Sequence, residues 1–251
     1  MLAFIIRRLL QAILVMLTVA FVAFLLFQYV GDPVSQMLGQ DATPEDRARL
    51  RADLGLDKPF YVQFGHFIGN VVQGDFGLSL RQGRSVSSLI KERLPATLEL
   101  SFAAALIALV AGIPMGVYTA LRRNSWVAQF LLAASLVGIS LPTFLIGILL
   151  ILVFAVQLGW LPSYGRGEVV QLGWWSTGLL TGAGWRHLIL PSIALALFQL
   201  TLIMRLVRSE MLEVLRTDYI KFARARGLTD RAVHFGHALK NTLVPVITIT
   251  G

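Results

Sequence analysis

The chain has 251 residues, of which 56% are hydrophobic and only 14% charged; it has no cysteine and a formal net charge of +8. Its mean hydropathy is +0.71 and its pI is about 10.4. Ordinary soluble domains carry about 25% charged residues, so this composition excludes a disordered chain and argues against a cytosolic enzyme. The lack of cysteine excludes disulfides and thiolate metal sites. A basic surplus can signal nucleic acid, but here the placement of the charges points to a membrane.

Arg7-Arg8 precedes the uncharged run Leu9–Val30, 22 residues long. As a helix the run reaches about 33 Å, enough for a hydrocarbon core of about 30 Å. A signal-peptide core is about 7–15 residues long, and no A-x-A site follows, so this is read as a retained first span. Segment 31–95 is predicted to be helical and outside the membrane. Thr43-Pro44-Glu45 has an N-cap, a proline at N1 and an acid in the first turn, and Leu50, Leu54 and Leu56 give that helix a partial apolar face. Phe60, Phe64, Phe67, Ile68, Val71 and Val72 recur at helical spacing, which predicts an amphipathic helix over Tyr61–Val72 lying on the membrane or on a neighbour. A short helix is expected from Ser85 to Leu94, ending at Pro95.

Leu100–Leu121 is a second run of 22 uncharged residues, with Glu99 at its outer end. Within it, Gly112 and Gly116 flank Pro114 in a G-x-x-x-G pattern that permits close helix contact. Asn124–Gly165 is uncharged but too long for one straight span; its membrane part is placed at Ala128–Leu158. Segment 159–187 is rich in glycine and holds Trp160, Trp174, Trp175 and Trp185, the composition of an interfacial aromatic belt. A fourth span covers His187–Met204 and continues to Val207. A fifth begins at Asn241 and reaches only Gly251, too short to cross, which leads us to expect the first part of a longer protein. Pro114, Pro142 and Pro191 are expected to perturb their helices and free backbone groups.

With the N-terminus inside, the inner segments hold twelve Lys and Arg against four acids. The short outer segment 159–187 holds only Arg166 and Arg186. The basic excess thus lies on one side, as the positive-inside rule requires, and it needs no nucleic acid. The chain divides into residues 1–30 (a cytoplasmic stub and first span), 31–95 (a periplasmic helical segment) and 96–251 (a transmembrane core with the cytoplasmic loop 205–242). The fold class is all-α, a polytopic membrane bundle of about five spans. No charge lies near a span centre, which disfavours a proton-coupled carrier.

The loop 205–242 carries the most information. Arg205 and Arg208 lie one turn apart at the inner end of span four. A helical stretch follows through Tyr219, then Lys221-Phe222-Ala223-Arg224-Ala225-Arg226-Gly227-Leu228. Gly227 is predicted to be a helix C′ residue with positive φ, and a new helix is capped by Thr229 or Asp230 and runs to about Leu243, before Pro245. A nucleotide P-loop needs Gly-Lys followed by Ser or Thr. None of Lys58, Lys91, Lys221 and Lys240 follows a glycine, so no energy source resides on this chain.

Tyr219–Val246 resembles the cytoplasmic loop of ABC-transporter permeases, most closely the B-type subunit of the dipeptide/oligopeptide/nickel permease family. Gly31-Asp32-Pro33, Leu54–Phe64, Gly74–Ser79, Leu94–Leu100, Gly159–Pro162 and Ile189–Leu197 match family stretches in the same order. Where the general permease loop opens Glu-Ala-Ala, this chain has Lys221-Phe222-Ala223. The resemblance implies a type I-like importer permease in a bacterial inner membrane. Its partners would be a second permease subunit, two ABC ATPase subunits that bind ATP and Mg, and a periplasmic solute-binding protein docking on 31–95 and 159–187. It implies that Ala223, Arg224, Ala225, Arg226, Gly227 and Leu228 form the ATPase-coupling contact, with no cofactor, metal or catalytic residue on this chain. It leaves the substrate and the pathway-lining residues undetermined. Rival readings rest on less. Ser140 and His187 as a nucleophile and base lack a G-x-S-x-G setting. His234 and His237, one turn apart, lack a third ligand nearby in sequence. A stand-alone channel or carrier leaves the partner-like cytoplasmic turn without a purpose.

Overall fold

The computed structural model describes residues 2–29, 34, 38, 43–53, 55–79 and 82–250. Gly31-Asp32-Pro33 and Leu54, which figured in the sequence reading, lie outside the described residues. The chain forms two compact units, Met1–Arg93 and Leu94–Gly251.

In the first unit, α1 (Leu2–Tyr29) is 28 residues long, about 42 Å at 1.5 Å per residue. Most of its large apolar side chains face outward, as they would toward lipid. Helix α2 (Pro44–Asp53) opens as expected. The Thr43 hydroxyl accepts the Asp46 backbone N–H at 3.2 Å and donates to the Asp46 carboxylate at 2.7 Å, a reciprocal cap. Helix α3 (Phe60–Val72) covers a neighbour rather than standing free. Phe60, Phe64 and Phe67 pack on Phe21 and Phe24 of α1, with ring centroids 5.3 to 5.9 Å apart.

Helix α4 (Val86–Leu121) begins in the first unit and gives residues 94–121 to the second. The expected stop at Pro95 is not observed: the helix runs through both Pro95 and Pro114. Pro95 is fully buried, and packing of its ring offsets the one backbone hydrogen bond that a proline cannot make. Helix α5 (Trp126–Ser140) is capped by Ser125, whose hydroxyl accepts the Ala128 N–H at 3.1 Å. At Leu141-Pro142 the chain turns, and α6 (Thr143–Leu150) leads into a π-helical stretch, Ile151–Gln157. The two halves meet at a bend of 108°. The single apolar segment expected at Ala128–Leu158 is thus two helices, split at Pro142.

Helix α7 (Gly182–Val214) is far longer than the span expected at His187–Met204. It absorbs Pro191 and also the stretch from Glu210 that the sequence suggested was a separate helix. Helix α8 (Asp218–Ala225) follows, then a π-helical turn, Ala232–Ala238, and α9 (Leu239–Thr250), which continues through Pro245 rather than stopping near Leu243. Segment 159–187 is not purely irregular. Strands β1 (Val170–Leu172) and β2 (Trp175–Thr177) form a tight antiparallel hairpin, with Leu172 opposite Trp175 and Gly173 at φ +65° in the turn.

Among the described residues, three helices are long and apolar enough to span a bilayer, or four if α5–α6 counts as one bent span. The packing of α4 on α7 depends on glycine. A Cβ on Gly112 would lie 3.1 Å from Ile203, and one on Gly116 would lie 2.6 Å from Val207. Glycine thus lets the backbones of α4 and α7 approach closely, as the G-x-x-x-G pattern predicted. Gly112 meets Ile203 and Gly116 meets Val207, so α4 and α7 advance in the same direction. The chain between them must cross back once, and α5–α6 makes that crossing. On the other side of α7, Gly138 of α5 sits against the Leu197 carbonyl, and Thr201 donates to the Ser135 carbonyl at 3.0 Å. The all-α bundle is the fold expected from the sequence, with the small hairpin as its one addition among the described residues.

Candidate functional site

The loop residues singled out from the sequence form a helix held rigidly against the end of the bundle. Ile220 and Ala223 of α8 are buried and join a core with Val207 and Met211 of α7 and Val233, Ala238 and Val246. The Asn241 amide donates to the Tyr219 hydroxyl at 2.7 Å, and the buried Thr242 hydroxyl points at the Met211 sulfur at 3.6 Å. Helix α8 is therefore fastened both to the end of α7 and to the base of α9.

Its C-terminus is a complete Schellman turn. The Leu228 N–H donates to the Ala223 carbonyl at 3.3 Å, and the Gly227 N–H donates to the Arg224 carbonyl at 2.9 Å. Gly227 has φ +80°, as its sequence position foretold, and a Cβ there would meet no atom within 4 Å. Only backbone conformation requires glycine here; crowding within this chain does not. Thr229 caps the next turn by accepting the Ala232 N–H at 3.4 Å.

The structure divides the proposed contact residues into two faces. Arg224, Ala225, Arg226, Gly227 and Leu228 face solvent, whereas Ala223 is only 6% exposed and points into the core. Ala223 therefore holds the helix on, and the solvent-facing surface is left to its neighbours. Phe222, which the sequence reading passed over, is 64% exposed, and the Arg226 guanidinium lies over its ring at 5.7 Å. Its signal was available in the sequence: an aromatic one position away from the buried stripe of a short helix. Lys221 pairs with Asp218 at 2.8 Å, and Arg224 reaches Asp230 at 4.0 Å, both exposed.

The opposite end of this unit carries an ion pair that the sequence did not reveal. An Arg166 Nη donates to Glu99 Oε2 at 3.0 Å, and its guanidinium also donates to the Ser176 hydroxyl at 2.7 Å and to the Ser176 carbonyl at 2.6 Å. The Gly178 N–H adds a contact to Glu99 at 3.3 Å. The Glu99 side chain is 6% exposed and that of Arg166 is 30% exposed. One carboxylate on α4 thus clamps the β1–β2 hairpin and the lead into α7. The Trp185 indole N–H, donating to the Leu179 carbonyl at 2.8 Å, and the Thr181 hydroxyl, donating to the Glu168 carbonyl at 2.6 Å, complete the anchoring. Trp160, Trp174 and Trp185 remain exposed.

The rival residues do not assemble. A His187 ring nitrogen engages the Ala183 carbonyl at 2.8 Å, and among the described residues no hydrogen bond joins His187 to Ser140. His234 and His237 share the π-helical turn, and no third histidine or acid completes a metal-binding group among the described residues.

Residues 112–251 match the family model described as "Binding-protein-dependent transport system inner membrane component". Residues 1–101 match its companion, "Binding-prot-dependent transport system membrane comp, N-term". The di/tripeptide transport system permease protein DppB of Pseudomonas aeruginosa is 42% identical over 100% of this chain and 79% of its own length. The dipeptide transport system permease protein DppB of Alkalihalophilus pseudofirmus is 38% identical over 100% and 79%. The oligopeptide transport system permease protein AppB of Bacillus subtilis is 40% identical over 100% and 78%. Apolar helices long enough to span a bilayer, joined to a whole-length likeness to these permeases, place the chain in the binding-protein-dependent transport system inner membrane component family, as a multi-pass permease subunit.

Proposed function

We propose that this chain forms part of the membrane pathway of an importer of di- or oligopeptides, driven by ATPase subunits that grip α8. The substrate class is supported by the relatives, whose names specify dipeptides, di- and tripeptides and oligopeptides. The coupling role rests on one observation: α8 is locked to α7 and α9 by buried Ile220 and Ala223, yet presents Phe222, Arg224, Arg226 and Leu228 to solvent. A helix built in this way transmits force instead of yielding to it. In this reading a second permease subunit completes the pathway. ATP and Mg bind to the partner ATPases, and their closure pushes α8 and tilts α7 and α9, exposing the pathway to alternate sides. A binding protein delivers peptide at the Glu99 end. The N-terminus is cytoplasmic, which puts Arg122, Arg123 and the α8 region on the inner side.

The test is Gly227→Trp. A Cβ at this position would meet no atom beyond its chain neighbours within 4 Å, so the side chain departs into open space at a backbone strain of about 1–2 kcal/mol, while a closely fitting partner would be displaced. Membrane insertion is expected to persist and peptide uptake to disappear; normal uptake would refute the coupling role. The purified chain alone is expected to hydrolyse no ATP.

A further inference from the structure

Arg205 and Arg208 are not absorbed by the coupling role, and the structure gives them a distinct setting. Helices α5 and α7 touch closely at Ser135, Gly138, Leu197 and Thr201. Beyond that crossing, toward the C-terminal end of α7, they enclose a wedge of about 510 Å³. Leu132, Ala133, Leu136 and Leu212 supply its apolar wall, and Ser135, Arg205, Arg208 and Ser209 its polar groups. The Nε of Arg208 is shut off from solvent without a hydrogen-bond partner. Among the described residues, neither arginine has a carboxylate within ion-pair distance. A partly buried guanidinium with no anion is a costly arrangement unless something supplies one.

The depth of the wedge indicates what that is. The uncharged stretch of α7 runs from His187 to Met204 and ends one residue before Arg205. The two guanidiniums therefore stand where hydrocarbon gives way to headgroups, with an aliphatic wall on the hydrocarbon side. A ligand matching this wedge has an anionic oxygen cluster joined to an acyl chain. We propose that the wedge binds one anionic glycerophospholipid, its phosphate held by Arg205 and Arg208 and its chain lying against Leu132, Ala133 and Leu136. Basic pockets between transmembrane helices recognise phospholipid headgroups on these terms. The site requires the membrane alone, and it stands or falls separately from the coupling role of α8.

The experiment uses the chain in its native assembly, reconstituted in nanodiscs of equimolar phosphatidylglycerol and phosphatidylcholine, then stripped and examined by native mass spectrometry. Retention of phosphatidylglycerol over phosphatidylcholine is expected by about twenty-five-fold, at roughly fivefold per guanidinium. Arg205→Gln with Arg208→Gln should abolish that preference, and the paired lysine substitutions should keep most of it. Arg205 is exposed, so Arg205→Gln alone should fold normally and lower the preference about fivefold. Equal retention of the two lipids by the unaltered assembly would overturn the proposal. So would displacement of the lipid by millimolar inorganic phosphate, which would reveal a site for free anions. A double glutamine variant that kept its lipid but lost its partner subunits would also overturn it, by showing that the arginines meet a partner's acid.

Discussion

The Glu99–Arg166 pair predicts an asymmetry that can be measured. Replacing Arg166 by Met removes the cation but keeps most of the side chain's length. Glu99, 6% exposed, would then keep the Gly178 N–H at 3.3 Å and lose its countercharge. Breaking a buried pair from one side costs about 3–5 kcal/mol. Because the pair lies at the end of a span, where water can enter, the lower end, about 3 kcal/mol, is expected. Glu99→Gln is milder. The amide oxygen can still accept from Gly178 and Arg166, and Arg166, 30% exposed, keeps its two bonds to Ser176. The expected loss is about 1–2 kcal/mol, the difference between a charged and a neutral hydrogen bond. The double variant should lose less than the sum of the two, because neither charge is then left unpaired. Thermal unfolding of the solubilised protein measures all three, and limited proteolysis at residues 170–177 reports whether the hairpin has come loose. If Glu99→Gln destabilised more than Arg166→Met, or if the double variant equalled the sum of the singles, the clamp would be disproved.

Gly116→Ala places a methyl where only 2.6 Å separates the new Cβ from Val207, so α4 and α7 must part at a cost of about 1–3 kcal/mol. A lowered melting temperature, partly restored by adding Val207→Ala, is the expected result. Phe222→Ala removes a side chain that is 64% exposed and should change stability by no more than about 0.5 kcal/mol, while sharply reducing both uptake and capture of the ATPase. Unchanged uptake would move the partner contact away from α8.

Much of this architecture was legible in the residues. Uncharged runs of 22 marked α1 and α4, because that length matches the thickness of a bilayer's hydrocarbon core. The Thr43 cap and the positive φ of Gly227 were readable for a related reason: both depend on one residue's own chemistry and its immediate neighbours. The paired glycines on α4 announced a close contact, though not its partner. The prolines were only half legible. Pro142 breaks its helix, while Pro95, Pro114, Pro191 and Pro245 lie inside continuous ones. The ring removes the same hydrogen bond in every case, and surrounding packing decides whether the helix survives.

Tertiary structure decided the rest. Glu99 and Arg166 are 67 residues apart, and no local pattern joins them. They meet because α4 and α7 run parallel and bring the hairpin over the end of α4. The inward turn of Ala223 and the outward turn of Phe222 depend on which side of α8 meets the α7–α9 core, and hydropathy alone gives a small alanine no clear direction. Local composition determined which segments enter the membrane and where the chain turns. The pairing of distant charges, the 108° bend and the free face of α8 were set by contacts between segments far apart in the chain, since burial is a property of the assembled bundle.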